Sequence, residues 1–153
     1  MYDSYLVVKD TLKNDVVDGK TVGFSFGVRI ANYRGNFLSL INGFYVAVDG
    51  VEYGRDVQKF EINGKAPRSI EEIEKCYWEH WDMQDMGIVH IAKEGGLEPG
   101  THTIKYMECI LGYYGYHGKG VDDEIFVTNP PMPGDPMGCE KTPRFNYYEL
   151  ELM

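Results

Sequence analysis

Ten residues, Val22 to Ala31, alternate without a break. Val22, Phe24, Phe26, Val28 and Ile30 fall on one side of an extended chain, with Gly23, Ser25, Gly27, Arg29 and Ala31 on the other. Successive side chains on a strand point to opposite faces, so this segment predicts a strand with one aromatic and β-branched face turned to a core. Its other face is small except at Arg29, which lets a second sheet or another chain come close to the backbone. The strand breaks at Asn32-Tyr33-Arg34-Gly35-Asn36, a polar loop that offers two hydrogen-bonding side chains, Tyr33 and Arg34.

The same two-residue period recurs along the chain. Tyr5–Lys9, Gly43–Val48, Val57–Ile62, Met86–Ala92, Thr101–Leu111 and Tyr147–Leu152 read as further strands. Asn14-Asp15, Asp18-Gly19, Asp49-Gly50 and Asn63-Gly64 supply turn chemistry, and Val51–Tyr53 is the short returning arm of a hairpin. Ser69-Ile70-Glu71-Glu72 fits a capping box and predicts one short helical turn. Tyr77–Asp82 alternates in a register that the sequence leaves open. Many short strands, frequent turn signals and almost no helix predict an all-β fold, a two-sheet antiparallel β-sandwich of about eight strands.

From Gly112 to Phe145 the composition changes: Tyr113, Tyr114 and Tyr116 are interleaved with glycines, and five of the seven prolines fall here. The whole chain, 1–153, therefore reads as one domain, with 112–145 as an extended Gly/Pro/Tyr-rich loop near the C-terminus and Val121–Thr128 as a possible edge strand within it.

A net charge of −9 argues against nucleic acid, which needs a basic patch. No apolar run has the length of a membrane span and Met1-Tyr2-Asp3 lacks a basic leader, so a cytoplasmic location is expected. Cys76, Cys109 and Cys139, odd in number and far apart, read as free thiols.

Several clusters invite a chemical reading. His80 beside Glu79 and Asp82 suggests a metal or an acid–base pair, but Glu79 and His80 face opposite ways on a strand, which favours a local His80–Asp82 hydrogen bond. His90 and His102 fall on the two arms of a predicted hairpin. Trp78, Trp81 and the Tyr113–Tyr116 group offer either a sugar-stacking platform or ordinary core and interface aromatics. Asp122-Asp123-Glu124 lacks the spacing of a calcium loop. No nucleophile elbow, phosphate loop or dinucleotide fingerprint is present, so neither a catalytic set nor a metal site is assigned to this chain.

The order of motifs carries more information than any one of them. Phe24-Ser25-Phe26-Gly27-Val28-Arg29-Ile30, Tyr33-Arg34-Gly35, Leu38-Ser39-Leu40, Val48-Asp49-Gly50, Phe60-Glu61-Ile62-Asn63-Gly64-Lys65 and Gly95-Gly96-Leu97-Glu98-Pro99-Gly100-Thr101-His102 follow one another at compatible spacing. This set, spanning about Leu6 to Ile110, resembles the β subunit of bacterial C-glycoside deglycosidases. The resemblance implies a non-catalytic subunit paired with a sugar-isomerase-like TIM-barrel α subunit. That partner would carry a divalent metal, with Mn2+ expected, and the catalytic base. The implied reaction is elimination across the C–C bond of a 3-oxo-C-glucoside of a flavonoid or other aromatic aglycone. The 3-ketone acidifies the C2 hydrogen, a base removes it, and the aryl group leaves from C1. On this view Arg29, Tyr33 and Arg34 are candidate partner contacts, since Tyr and Arg are enriched in buried hot spots. Beyond Ile110 the sequence departs from the family pattern, and Tyr113, Tyr114, Tyr116 and His117 become candidates for shaping the aglycone pocket. The alternative, from a different class, is a freestanding carbohydrate-binding sandwich.

Overall fold

A computed structural model describes residues 6–30, 35–82, 84–110 and 146–152. The described residues form a two-sheet antiparallel β-sandwich. One sheet has the order β1-β2-β9-β6-β7, made of Lys13–Val17, Lys20–Val28, Gly87–Ala92, Gln58–Glu61 and Arg68–Ser69. The facing sheet has the order β11-β10-β4-β5, made of Asn146–Leu152, Gly100–Ile110, Ile41–Val48 and Val51–Tyr53. A two-residue pair, β3 (Asn36–Phe37) with β8 (His80–Trp81), and a single-turn helix α1 (Ile70–Ile73) complete the frame. Three of these eleven strands are only two residues long, which leaves eight of ordinary length.

The organising strand is β2. Phe24, Phe26 and Val28 are fully buried between the sheets, where Phe26 meets Tyr106 of the facing sheet edge-on at 5.9 Å and Phe24 meets Tyr53 at 5.3 Å. Phe44 and Phe60 pair across the same gap at 5.2 Å, and Phe60 continues to Trp81 at 4.8 Å. Each such pair adds about 0.5–1.5 kcal/mol beyond the area it buries. Val22 departs from the expected pattern: close to the Asp18-Gly19 turn, beside the bulge at Asp15/Val16, it is 42% exposed.

Among the described residues, the protein's own side chains approach the small face of β2. A Cβ on Gly27 would stand 2.6 Å from Met86 Sδ, and Ser25 Oγ donates to Asp15 at 2.9 Å. Asp18-Gly19 and Asp49-Gly50 both carry two successive positive φ angles, the geometry that lets a two-residue turn follow the twist of its strands. The capping box is present in full: Glu72 N–H donates to Ser69 Oγ, and Ser69 N–H donates to Glu72 Oε1.

Four sequence readings are corrected. Asn14 and Asp15 belong to β1 rather than to a turn. The Tyr5–Lys9 segment makes, over its described part, only a single bridge from Val7 to Val28, since Thr11 rather than a further strand receives the N–H of Gly27. Val57 closes a 3-10 turn, and β6 starts at Gln58. Gly95–Gly100 is not a hairpin turn: it carries the chain from β9 in one sheet to β10 in the other, so His90 and His102 lie in different sheets. The 112–145 loop, with its possible strand at Val121–Thr128 and the Asp122-Asp123-Glu124 cluster, lies outside the described residues.

Candidate functional site

Two surface features stand out, at different places on the sandwich. The first is an aromatic end. β2 finishes at Val28 opposite Gly87, and β4 begins at Ile41 opposite Ile110, so both sheets end together here, capped by the β3–β8 pair. The Cys76–Glu79 turn that leads into β8 holds Tyr77 and Trp78 at its tip, 71% and 75% exposed. Phe37, on β3 directly across from His80, is 46% exposed and meets the His80 ring edge-on at 5.1 Å.

This turn is pinned from beneath. Glu79, the residue after Trp78, is buried and accepts four hydrogen bonds. Arg68 donates through Nη1 at 2.9 Å and Nη2 at 2.7 Å, Lys65 Nζ at 2.8 Å and Asn63 Nδ2 at 2.9 Å. The bidentate Arg68 guanidinium outweighs the burial that favours the neutral acid, and with Lys65 and Asn63 it pushes the Glu79 carboxyl down to about 2. The same contact raises Arg68 further above its usual range. The Glu79 carbonyl also accepts from Leu38 N–H at 2.8 Å, tying the turn to β3. His80 Nδ1 bonds Asp82, the local pairing expected from the sequence.

The second feature is a groove of about 1190 Å3 on the outer face of the five-stranded sheet. Gly23, His90 and Ala92 form its floor, Val16, Val17 and Val22 one wall, and α1 with the Arg55–Val57 turn the other. His90 is held between two carboxylates, with Nδ1 2.8 Å from Asp15 and Nε2 2.7 Å from Glu61. Ser25 secures the second oxygen of Asp15.

Of the residues singled out in the sequence, Arg29 is half-buried and donates through Nη1 to the Gln84 carbonyl at 2.8 Å. Tyr33, Arg34, Tyr113, Tyr114, Tyr116 and His117 lie outside the described residues. Trp81 is fully buried while Trp78 is exposed, so the two do not share a stacking platform. His102 is separate from His90: it bonds Asp49 and the Glu98 carbonyl, which raises its pKa in spite of burial and lowers that of Asp49. Cys76 is a buried free thiol. Among the described residues no group of three or more His, Cys, Asp or Glu is arranged to hold a metal ion, and no helix is long and apolar enough to cross a membrane. Nothing in the sequence announces the Arg68–Glu79 pair, because no local spacing links residues eleven apart across a helix.

Among the described residues, the β-sandwich turns an anchored aromatic turn outward at one end. The sequence profile of the C-glycoside deglycosidase beta subunit family matches residues 2–114, and the chain belongs to that family. It is 32% identical over 97 residues to the C-glycoside deglycosidase beta subunit of Eubacterium cellulosolvens. That alignment covers 63% of this chain and 65% of the relative, so it spans just under two thirds of the relative's own length.

Proposed function

We propose that this chain is the non-catalytic beta subunit of a C-glycoside deglycosidase, acting in the cytoplasm as one half of a hetero-oligomer. Its partner is a sugar-isomerase-like TIM-barrel subunit. The pair cleaves the C–C bond of 3-oxo-C-glucosides of flavonoid or other aromatic aglycones, as a carbon–carbon lyase working by elimination. The divalent metal, expected to be Mn2+, and the catalytic base belong to the partner, and no step of the reaction is assigned to a residue of this chain.

The observation that carries this reading is the aromatic end. Trp and Tyr exposed by more than two thirds, side by side on an immobilised turn, are the residue types that dominate binding hot spots. Arg29 lies at this end, and the segment bearing Tyr33 and Arg34 joins it to β3, so all three are retained as partner contacts. β10 ends at Ile110, also at this end, and Tyr113, Tyr114, Tyr116 and His117 are proposed to shape the aglycone pocket. A freestanding carbohydrate-binding module is less well supported, since the tryptophan platform it would use is split between core and surface.

Co-expression with the candidate barrel subunit, followed by size exclusion and an assay on a 3-oxo-C-glucoside, tests the proposal. Co-elution with activity absent from either chain alone is the expected result. Separate elution, with this chain monomeric and soluble by itself, would overturn it.

A further inference from the structure

None of the exposed aromatics Phe37, Tyr77 and Trp78 lines the groove on the outer face of the five-stranded sheet, and its lining is chemically mixed. Three of the large apolar side chains that the described surface exposes, Val16, Val17 and Val22, stand together on one wall. The polar lining carries both signs of charge: Lys13, Lys59 and Arg55 against Asp15, Asp56, Glu71 and Glu74. An anion would meet the four carboxylates and a cation the three bases, so neither is favoured. A hydroxyl group both donates and accepts, and can satisfy an ammonium and a carboxylate at once.

Asp15 is prepared for that role. One of its oxygens accepts from Ser25 and the other faces His90, so the carboxylate is fixed in place with acceptor capacity left over. The floor stays open because it is built from Gly23 and Ala92. A Cβ on Gly23 would lie 2.0 Å from the Ile91 carbonyl oxygen, so no larger residue replaces it without moving the neighbouring strand. The volume leaves ample room for a small molecule with a ring on either side of a glycosidic bond. Among the described residues no Phe, Tyr or Trp lines the groove, so its apolar contact there is aliphatic.

We propose that this groove binds a neutral glycoside, with Asp15 and Lys59 engaging sugar hydroxyls and the Val16–Val17–Val22 wall covering the aglycone. The choice of a glycoside among neutral polyols rests on the family reading above; the neutrality and the apolar contact rest on the groove itself.

The test titrates the full-length chain, alone and in complex with its barrel partner, with phenyl β-glucoside and with methyl β-glucoside, followed by calorimetry. Saturable binding of the phenyl glucoside is expected, at least tenfold weaker for the methyl glucoside. Asp15→Asn and, independently, Ala92→Phe should weaken phenyl glucoside binding by tenfold or more. Ala92 is an exposed strand residue where a phenylalanine fills the groove without entering the core, so this variant keeps the fold, as an unchanged elution volume would verify. Absence of saturable binding, or equal binding by folded Ala92→Phe, would overturn the proposal while leaving the subunit reading in place if co-elution with the barrel persists. Loss of co-elution in Ala92→Phe would make the groove a subunit contact and would equally overturn it. Binding by a chain that never co-elutes with the barrel would support the groove and sink the subunit reading.

Discussion

The Gln58 side chain completes the edge of a strand that belongs to the opposite sheet: its amide accepts from Phe44 N–H at 3.1 Å and donates to Phe44 O at 2.6 Å. β5 pairs with β4 only from Val46 to Val48, so at Phe44 the ladder has no strand partner on that side. Gln58, buried to 2% exposure, supplies the missing donor and acceptor and adds a bond to Tyr53 O at 2.9 Å. Because it stands on β6, it also rivets the two sheets together.

Gln58→Leu should therefore cost about 2–4 kcal/mol, since it leaves buried backbone groups unpaired. Gln58→Glu is the sharper test, as it keeps the shape but faces two carbonyls with a carboxylate. A carboxyl there is held above its unfolded value, so the deficit relative to the parent chain should be large at pH 7 and shrink as pH falls and the acid regains a donor. Urea midpoints at pH 7 and pH 4 would show this, and equal deficits at both would refute it.

The Glu79 carboxyl, depressed to about 2 from 4.5, makes stability depend on pH in the opposite sense. A lowered acid contributes fully above its unfolded value and is lost as pH falls through its folded value, so the window runs from about 4.5 down to about 2. A shift of that size corresponds to roughly 3 kcal/mol. Glu79→Gln should lower stability at pH 7 by about 3–5 kcal/mol, since it leaves Arg68 without its counter-ion. It should also flatten the acid limb of the stability curve. An acid limb that stays as steep in the variant would show that other carboxylates govern it.

His102 and Asp49 form a clasp with its own window. The raised His102 contributes below its unfolded value and is lost as pH rises through its folded value; the lowered Asp49 contributes above its unfolded value and is lost as pH falls. The clasp is thus strongest in mildly acidic solution. His102→Asn should lower the melting temperature by roughly 2 °C more at pH 6 than at pH 9. Identical shifts at the two pH values would count against a charged pair.

Trp78→Ala removes a side chain that is 75% exposed, so the isolated chain should keep its melting temperature within about 1 °C. If the aromatic end is the docking surface, the same change should weaken association with the barrel subunit by thirtyfold or more, the effect of losing roughly 2 kcal/mol at a hot spot. Surface plasmon resonance with the purified partner measures it, and undiminished affinity would move the interface elsewhere.

Much of the frame was legible in the sequence because it is written in local chemistry. The alternation of β2, the Asp-Gly turns and the Ser69/Glu72 box each depend on residues within four positions of one another. What could not be read was long-range. Gly95–Gly100 announces a turn, but a turn that returns a strand to its neighbour and one that crosses to the facing sheet use the same glycines, so the sequence alone places His90 and His102 on one hairpin. Trp78 and Trp81, three apart, differ in burial because the Cys76–Glu79 turn ends the alternation between them. The hydrogen-bonded clusters Arg68–Glu79 and Asp15–His90–Glu61 join residues far apart in the chain, and nothing in their spacing foretells the contact.

The crossing at Gly95–Gly100 also dictates when the protein can fold during its own synthesis. β9 is the central strand of one sheet and β10 an inner strand of the other, so everything made before them consists of flanks without a middle. The early hairpin β1–β2 and the later pair β6–β7 have no common partner until Ala92 has been made, and β4–β5 stays a lone hairpin until Ile110. Phe24, Phe26, Phe44 and Phe60 therefore leave the ribosome before any layer exists to cover them, and burial comes as one late, collective event.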